Sequence, residues 1–230
     1  MGAKTEGAVL FSPDRPIGVI PLGLPGLKPG QVLVDVAYSG ICGSQLLEVL
    51  GKRGVDPYLP HTFGHEGSGL VVGIGSGVTK VKVGDPVVLS WIKGSGIDVP
   101  SVVYDGAEGP INSGAISTLV RRTIASENRV TAISDEIPLR EAALLGCSVP
   151  TGAGVVTNVA KVHQSSSVAI FGVGGVGLSA LMMAKVVGAA TIIAVDLLDY
   201  KLNLARKLGA THVVRAHESE PFEAILKITE

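Results

Sequence analysis

The feature that most constrains this chain is residues 167–177, Ser-Val-Ala-Ile-Phe-Gly-Val-Gly-Gly-Val-Gly, where an apolar run ends in a glycine turn and a helix-forming stretch begins. Gly172, Gly174 and Gly177 fit the pattern G-x-G-x-x-G. The first glycine permits a sharp turn, the second lets a pyrophosphate approach the backbone, and the third lets the helix pack close to the strand. The following helix aims its free N–H groups and positive dipole end at an anion. The spacing predicts a dinucleotide-binding β-α-β unit, with Gly172, Gly174, Gly175, Val176 and Gly177 at the cofactor. The competing reading is a glycine-rich turn in an α/β domain that binds something else.

The residues beyond the turn favour the dinucleotide. A second strand, Thr191 to Val195, leads into Asp196. A carboxylate there accepts hydrogen bonds from the ribose hydroxyls and repels a 2′-phosphate, and no Arg occurs after it until Arg206. NAD is therefore expected over NADP. A helix over Tyr200–Leu208, a strand over His212–Val214 and a helical start over Pro221–Glu230 continue the alternation of a parallel sheet covered by helices. About three strands can be placed, against six in a full doubly wound sheet. An incomplete sheet, with an open edge and exposed apolar surface, is the expectation. An isolated product is then expected to aggregate or to bind NAD poorly.

The first 130 or so residues read differently. Gln31–Ala37 alternates polar and apolar residues, and Gly69–Gly75 and Val87–Ser90 read as further strands around the turn Val81–Pro86. Trp91–Gly114 reads as a long loop of functional or flexible character. Helical stretches begin at Pro138–Leu145 and Thr151–Lys161. The expected fold class is mostly-β followed by α/β, with a β-rich domain over residues 1–137 and a nucleotide-binding domain over 138–230.

Composition removes several classes of function. The formal net charge is -1 over 230 residues, so no basic surplus points to nucleic acid. The N-terminus MGAKTEGAVL lacks the basic-then-apolar order of an export signal, and Glu6 breaks the acylation pattern. The apolar region Leu181–Val195 is too short and interrupted to span a bilayer. With two cysteines and no export signal, reduced thiols and a cytoplasmic setting are expected.

Cys42, His65 and Cys147 could supply three ligands to zinc and leave a fourth position open. Taken singly, each has a bland reading: a small buried hydrophobe for either Cys, a hydrogen-bonded structural ring for the His. Their settings say more. Gly40-Ile41-Cys42-Gly43-Ser44, then Gly64-His65-Glu66-Gly67-Ser68-Gly69, then Val83-Gly84-Asp85-Pro86-Val87, then Cys147 ahead of Thr151-Gly152 and the glycine turn, resemble in order the zinc-containing medium-chain alcohol dehydrogenases. The resemblance implies a GroES-like β-barrel catalytic domain followed by a partial Rossmann doubly wound parallel sheet. It implies one catalytic zinc on Cys42, His65 and Cys147, with Glu66 behind the metal or exchanging onto it. By the same resemblance Ser44 hydrogen-bonds the substrate oxygen and Thr151 joins the cofactor contacts. The implied substrate is a small alcohol, aldehyde or ketone, with no nucleic-acid or membrane partner, and full-length relatives are homo-oligomers.

Three departures stand out. Gln45 replaces an Asp frequent in the family, Leu47 stands where some members carry a proton-passing His, and Trp91–Gly114 holds no cysteines for a structural zinc. One zinc is therefore expected. Two rivals remain. Cys42, His65, Glu66, Cys147 and Asp196 oppose a zinc-free quinone or enone reductase, whereas the short C-terminus favours a catalytically inactive nucleotide- or partner-binding remnant. The substrate pocket is expected from Glu48–Tyr58 and Trp91–Pro110. His61, His163, His212 and His217 show no partner at ligand spacing and receive no role.

Overall fold

A computed structural model describes residues 3–13, 15–218 and 220–230. Met1 and Gly2, part of the stretch read for export and acylation signals, lie outside the described residues. Two compact units divide the chain, Met1–Cys147 and Ser148–Glu230. The sequence places the division at Ile137. The segment between the two positions packs on β-strands of the first unit, which is why compactness places the division later.

The first unit runs β1 (Lys4–Leu10), β2 (Gly18–Gly23), β3 (Gln31–Ser39), α1 (Gly43–Val49), β4 (His61–Thr62), β5 (Glu66–Ile74), β6 (Pro86–Ser90), β7 (Val103–Gly106), β8 (Gly109–Asn112), β9 (Arg122–Ser126), β10 (Val130–Ala132) and α2 (Leu139–Ala142). A closed barrel forms in the order β1-β2-β7-β8-β4, and a five-stranded sheet in the order β10-β6-β5-β3-β9. Alternation sets both cores: Val9, Leu22, Tyr104 and Ile111 fill one, and Val32, Val34, Val71 and Leu89 the other.

The region 91–114 is not one loop. It contains the antiparallel pair β7–β8, which completes the barrel, and Tyr104 is fully buried there. Four-residue strands around a turn at Gly106 and Gly109 carry too little periodicity to read in advance. The strands predicted over 31–37, 69–75 and 87–90 are present with their ends shifted by a few residues.

The second unit runs α3 (Ser148–Gly154), β11 (Ser167–Phe171), α4 (Gly175–Val186), β12 (Thr191–Asp196), α5 (Asp199–Leu208), β13 (His212–Arg215) and α6 (Pro221–Thr229). The sheet is parallel in the order β11-β12-β13. Ile192 and Ala194 face Leu181 and Ala184 of α4 and Leu202 and Ala205 of α5. Ile193 and Val195 take the opposite face, against Ala224, Ile225 and Ile228 of α6. Helices thus cover both faces, which explains the unbroken apolar run in β12. The helix expected over 151–161 starts earlier, as α3, and passes into a π-helical turn at Val155–Val159. No single helix among the described residues is long and apolar enough to cross a membrane.

Glu127 ties the loops of the first unit together. It is buried, and its carboxylate accepts the amide N–H groups of Thr79 at 2.6 Å, Lys80 at 2.9 Å and Ile97 at 2.8 Å. Burial pushes its carboxyl up, but these three amides and the Lys80 charge outweigh that and hold it below the usual range. Its stabilising contribution is therefore complete above the unfolded-state value of about 4.3 and fades as pH falls through the lower folded value. Replacing Glu127 with Ala should cost roughly 2–3 kcal/mol at pH 7, because three partly buried amides lose a charged acceptor. Urea melts at pH 7 and pH 3 check this: the gap between the two proteins should narrow in acid.

Candidate active site

The pairing of β5 with β6 brings the candidate residues together. Glu66 opens β5 directly opposite Ser90, which closes β6. The preceding residue, His65, accepts the Trp91 amide N–H on its carbonyl at 3.0 Å. Ser90 and Trp91 then reach the Cys147 segment: Ser90 Oγ donates to the Gly146 carbonyl at 2.5 Å, and Trp91 Nε1–H donates to Cys147 Sγ at 3.2 Å.

Glu66 is 2% exposed and sits under two loops. Its carbonyl accepts from the Gly40 amide at 3.2 Å, Ser39 Oγ at 3.2 Å and Thr118 Oγ1 at 2.9 Å. A Cβ at Gly40 would lie 2.1 Å from Glu66 Oε1. One at Gly146 would lie 2.9 Å from Glu66 Cβ and 2.3 Å from the Leu89 carbonyl. Both positions need glycine because nothing larger fits beside this carboxylate and backbone. Gly40 leads to Cys42 and Gly146 to Cys147, so one buried side chain registers both cysteine loops.

Cys42 immediately precedes α1, with Sγ 2.6 Å from Ser44 Oγ. Gln45 is buried, and its Oε1 accepts the Cys42 amide N–H at 3.0 Å, fixing the start of the helix. This accounts for Gln45 structurally, whereas Leu47 is 45% exposed. Cys42, Ser44, His65, Trp91 and Cys147 border one cavity of about 430 Å³. Two sulfurs and an imidazole facing a common space, with a buried carboxylate behind, form a donor set suited to zinc. Both thiols are free of a disulfide. Among the described residues, the group whose donor atoms all lie within 4.8 Å of one another is Glu48, Asp56 and His61; the Cys42, His65 and Cys147 donors share the cavity without closing that far.

His61 corrects the reading that gave it no partner. It is 5% exposed in β4 and borders the same cavity. Its Nδ1–H donates to the Thr62 carbonyl at 2.9 Å, and its Nε2 lies 2.9 Å from Asp56 Oδ2 and 3.6 Å from Glu48 Oε1. Burial pushes the Asp56 carboxyl up, but the Tyr58 amide, His61 and Arg53 outweigh it, so Asp56 lies below the usual carboxylate range. The partners come from α1 and the loop after it, at separations with no helical or strand period.

In the second unit, Gly172 has φ +81° and Gly174 caps α4. A Cβ at Gly177 would lie 2.0 Å from the Gly172 carbonyl, so the helix packs against the turn only without a side chain there. Cβ atoms at Gly174 and Gly175 would meet nothing within 4 Å, so backbone N–H groups remain approachable where a pyrophosphate is expected. Val176 is 44% exposed beside them. Thr151 is exposed on α3, whose Gly152 presses on the Val176 carbonyl.

Asp196 does more than the sequence indicated. It is 8% exposed. Oδ2 accepts the Val173 amide at 2.9 Å, Oδ1 accepts those of Leu197 at 2.8 Å and Leu198 at 3.1 Å, and Lys201 Nζ lies 3.6 Å away. It therefore braces the glycine turn itself. Burial pushes its carboxyl up, and the Leu198 and Val173 amides, Lys201 and the Leu197 amide together bring it below the usual range.

Known proteins agree with this architecture. Residues 28–134 match the alcohol dehydrogenase GroES-like domain, and residues 175–230 match the zinc-binding dehydrogenase domain. The NDMA-dependent alcohol dehydrogenase of Amycolatopsis methanolica is 34% identical over 99% of this chain and 66% of its own length. An alcohol dehydrogenase zinc-binding domain protein from Burkholderia ambifaria superposes with a TM-score of 0.90 at 32% identity, covering 98% of this chain and 68% of its own. The benzyl alcohol dehydrogenase of Acinetobacter calcoaceticus does so at 0.87 and 32%, covering 99% and 68%. The chain belongs to the zinc-type alcohol dehydrogenase family, with its GroES-like and Rossmann domains. It spans 63% to 67% of the length of the curated relatives it matches.

Two outcomes test this geometry. Gly146→Ala should lower the melting temperature of the first unit, since overpacking against Glu66 and Leu89 costs about 1–3 kcal/mol. Asp196→Asn should destabilise the second unit at pH 7. Because the folded carboxyl is held low, that contribution is present above pH about 3.9 and lost as pH falls through the folded value, so stability curves of the two proteins should converge in acid.

Proposed function

We propose that the chain acts in a zinc- and NAD-dependent alcohol dehydrogenase that interconverts a small alcohol with its aldehyde or ketone. The observation that carries this reading is the single cavity bordered by Cys42, Ser44, His65 and Cys147. In this reading Cys42, His65 and Cys147 hold one zinc, and Glu66 lies behind it. When bound, zinc supplies a Lewis acid that lowers the pKa of an alcohol, and NAD supplies the hydride acceptor.

The residues of the chain do the positioning. Ser44 Oγ, beside Cys42, accepts a hydrogen bond from the substrate hydroxyl and orients it for deprotonation. The Trp91 indole N–H spreads charge from the Cys147 sulfur and holds that side chain at the cavity wall. The turn at Gly172, Gly174, Gly175, Val176 and Gly177, together with Thr151, receives the dinucleotide. Asp196 favours NAD by presenting negative charge where NADP carries its extra phosphate. The named activities of the relatives support an alcohol dehydrogenase, and reduced thiols suit a cytoplasmic setting.

The test combines metal analysis with NAD reduction across an alcohol panel. The native chain should retain about one zinc, and Cys42→Ala should lose most of the zinc and at least about a thousandfold in turnover. Full zinc and full activity in that variant would defeat the assignment. Tighter binding of NADP than of NAD would remove the role given to Asp196.

A further inference from the structure

The wall of the cavity beyond Ser44 is polar in an unusual way. Ser44 and Glu48 lie four residues apart on α1, hence on one face and about 6 Å along its axis. Both border the cavity, as do Arg53, Asp56, Tyr58 and His61. Within this wall the groups are engaged unequally. Asp56 is committed to the Tyr58 amide at 2.8 Å and to His61 at 2.9 Å. Glu48 pairs with His61 at the longer distance of 3.6 Å, and Arg53 acts on the Asp56 carboxylate through its charge. A carboxylate with acceptor capacity beyond one long contact and a guanidinium with five N–H donors thus border the same cavity as Ser44.

We propose that the wall formed by Glu48, Arg53, Asp56 and His61 is a subsite for further hydroxyl groups of the substrate, so that the substrate class is a neutral polyhydroxylated alcohol. The proposal rests on the dehydrogenase reading only in taking Ser44 as the place of the reacting oxygen. The alternatives fit less well. A simple apolar alcohol would strip water from Glu48 and Arg53 and return no hydrogen bond, which is costly for charged groups. An acidic substrate would meet Glu48 and Asp56, and an ammonium group would meet the Arg53 guanidinium. A hydroxyl both donates and accepts, so it satisfies Glu48 as a donor and Arg53 as an acceptor. Phe63 and Ile116, which also border the cavity, offer apolar cover for the carbon chain. The helical turn between Ser44 and Glu48 is a distance that a few carbons of such a chain bridge. His61 holds Asp56, Asp56 holds the Tyr58 loop, and together they keep the Glu48 side of the wall in place.

The experiment compares two four-carbon probes, erythritol and 1-butanol, on the purified chain with zinc in the buffer. The readout is the His61 ring resonances in histidine-labelled protein, which need no turnover. Erythritol should shift them saturably and bind at least about tenfold more tightly than 1-butanol. Glu48→Gln should weaken erythritol about tenfold and leave 1-butanol within about twofold, and Arg53→Gln, at an exposed position, should weaken erythritol severalfold. Circular dichroism confirms that each variant is folded. If 1-butanol binds as tightly as erythritol, or if both variants keep full erythritol affinity, the subsite is wrong. Saturable erythritol binding without NAD reduction by any alcohol would uphold the subsite and overturn the dehydrogenase reading instead.

Discussion

The first unit depends on how one carboxylate is buried. Glu66 begins the central strand of the five-stranded sheet at 2% exposure, and a carboxylate in that position costs several kcal/mol unless donors or an opposite charge meet it. Its carbonyl gathers Ser39, Gly40 and Thr118, and its side chain fills the space that side chains at Gly40 and Gly146 would need. The two cysteine segments are far apart in sequence, yet both run against this residue. A shift of the β5–β6 register by one residue would turn Glu66 to the other face and detach both.

The two units reach their geometry by different routes. In the second, the decisive contacts lie within one β-α-β unit. Gly172 and Gly177 meet within one turn, and Asp196 accepts the amide of Val173 across adjacent strands paired in parallel register. In the first, nothing local brings His65, Trp91 and Cys147 together. The Glu66–Ser90 pair does so, and the Ser90 hydroxyl and Trp91 indole carry its register to the segment after α2.

This difference decides how much is legible in the sequence. The glycine turn, β12 and α5 can be read from spacing because each residue acts on neighbours a few positions away. The residues of the Cys42, His65 and Cys147 set can be named only through motif resemblance, since their grouping is tertiary. The β7–β8 pair escapes a sequence reading because four-residue strands around two glycines show no clear period. His61 escapes it for a related reason: Glu48 and Asp56 reach it from α1 and an irregular loop, and neither separation matches a helix or a strand. Asp196 is half legible. Its position at the end of β12 raises the expectation of a cofactor contact, but its three backbone amides are visible only in three dimensions.

The same distinction bears on how such a cavity can change its substrate. The sulfur and imidazole donors are held by sheet register, a buried carboxylate and obligatory glycines, so few substitutions there can be absorbed. Arg53, Asp56 and Tyr58 instead sit in the loop between α1 and β4, joined to the barrel through His61, which meets Asp56, and through the Asn112 side chain, which donates to the Tyr58 carbonyl at 2.7 Å. Exchanging that loop would alter the polarity of the far wall while leaving Glu66 and both cysteine segments where they are. Under the proposed function, the rigid sheet end would set the chemistry and the adjacent loop the choice of substrate, as separable parts of one cavity, consistent with the usual division between scaffold and loop.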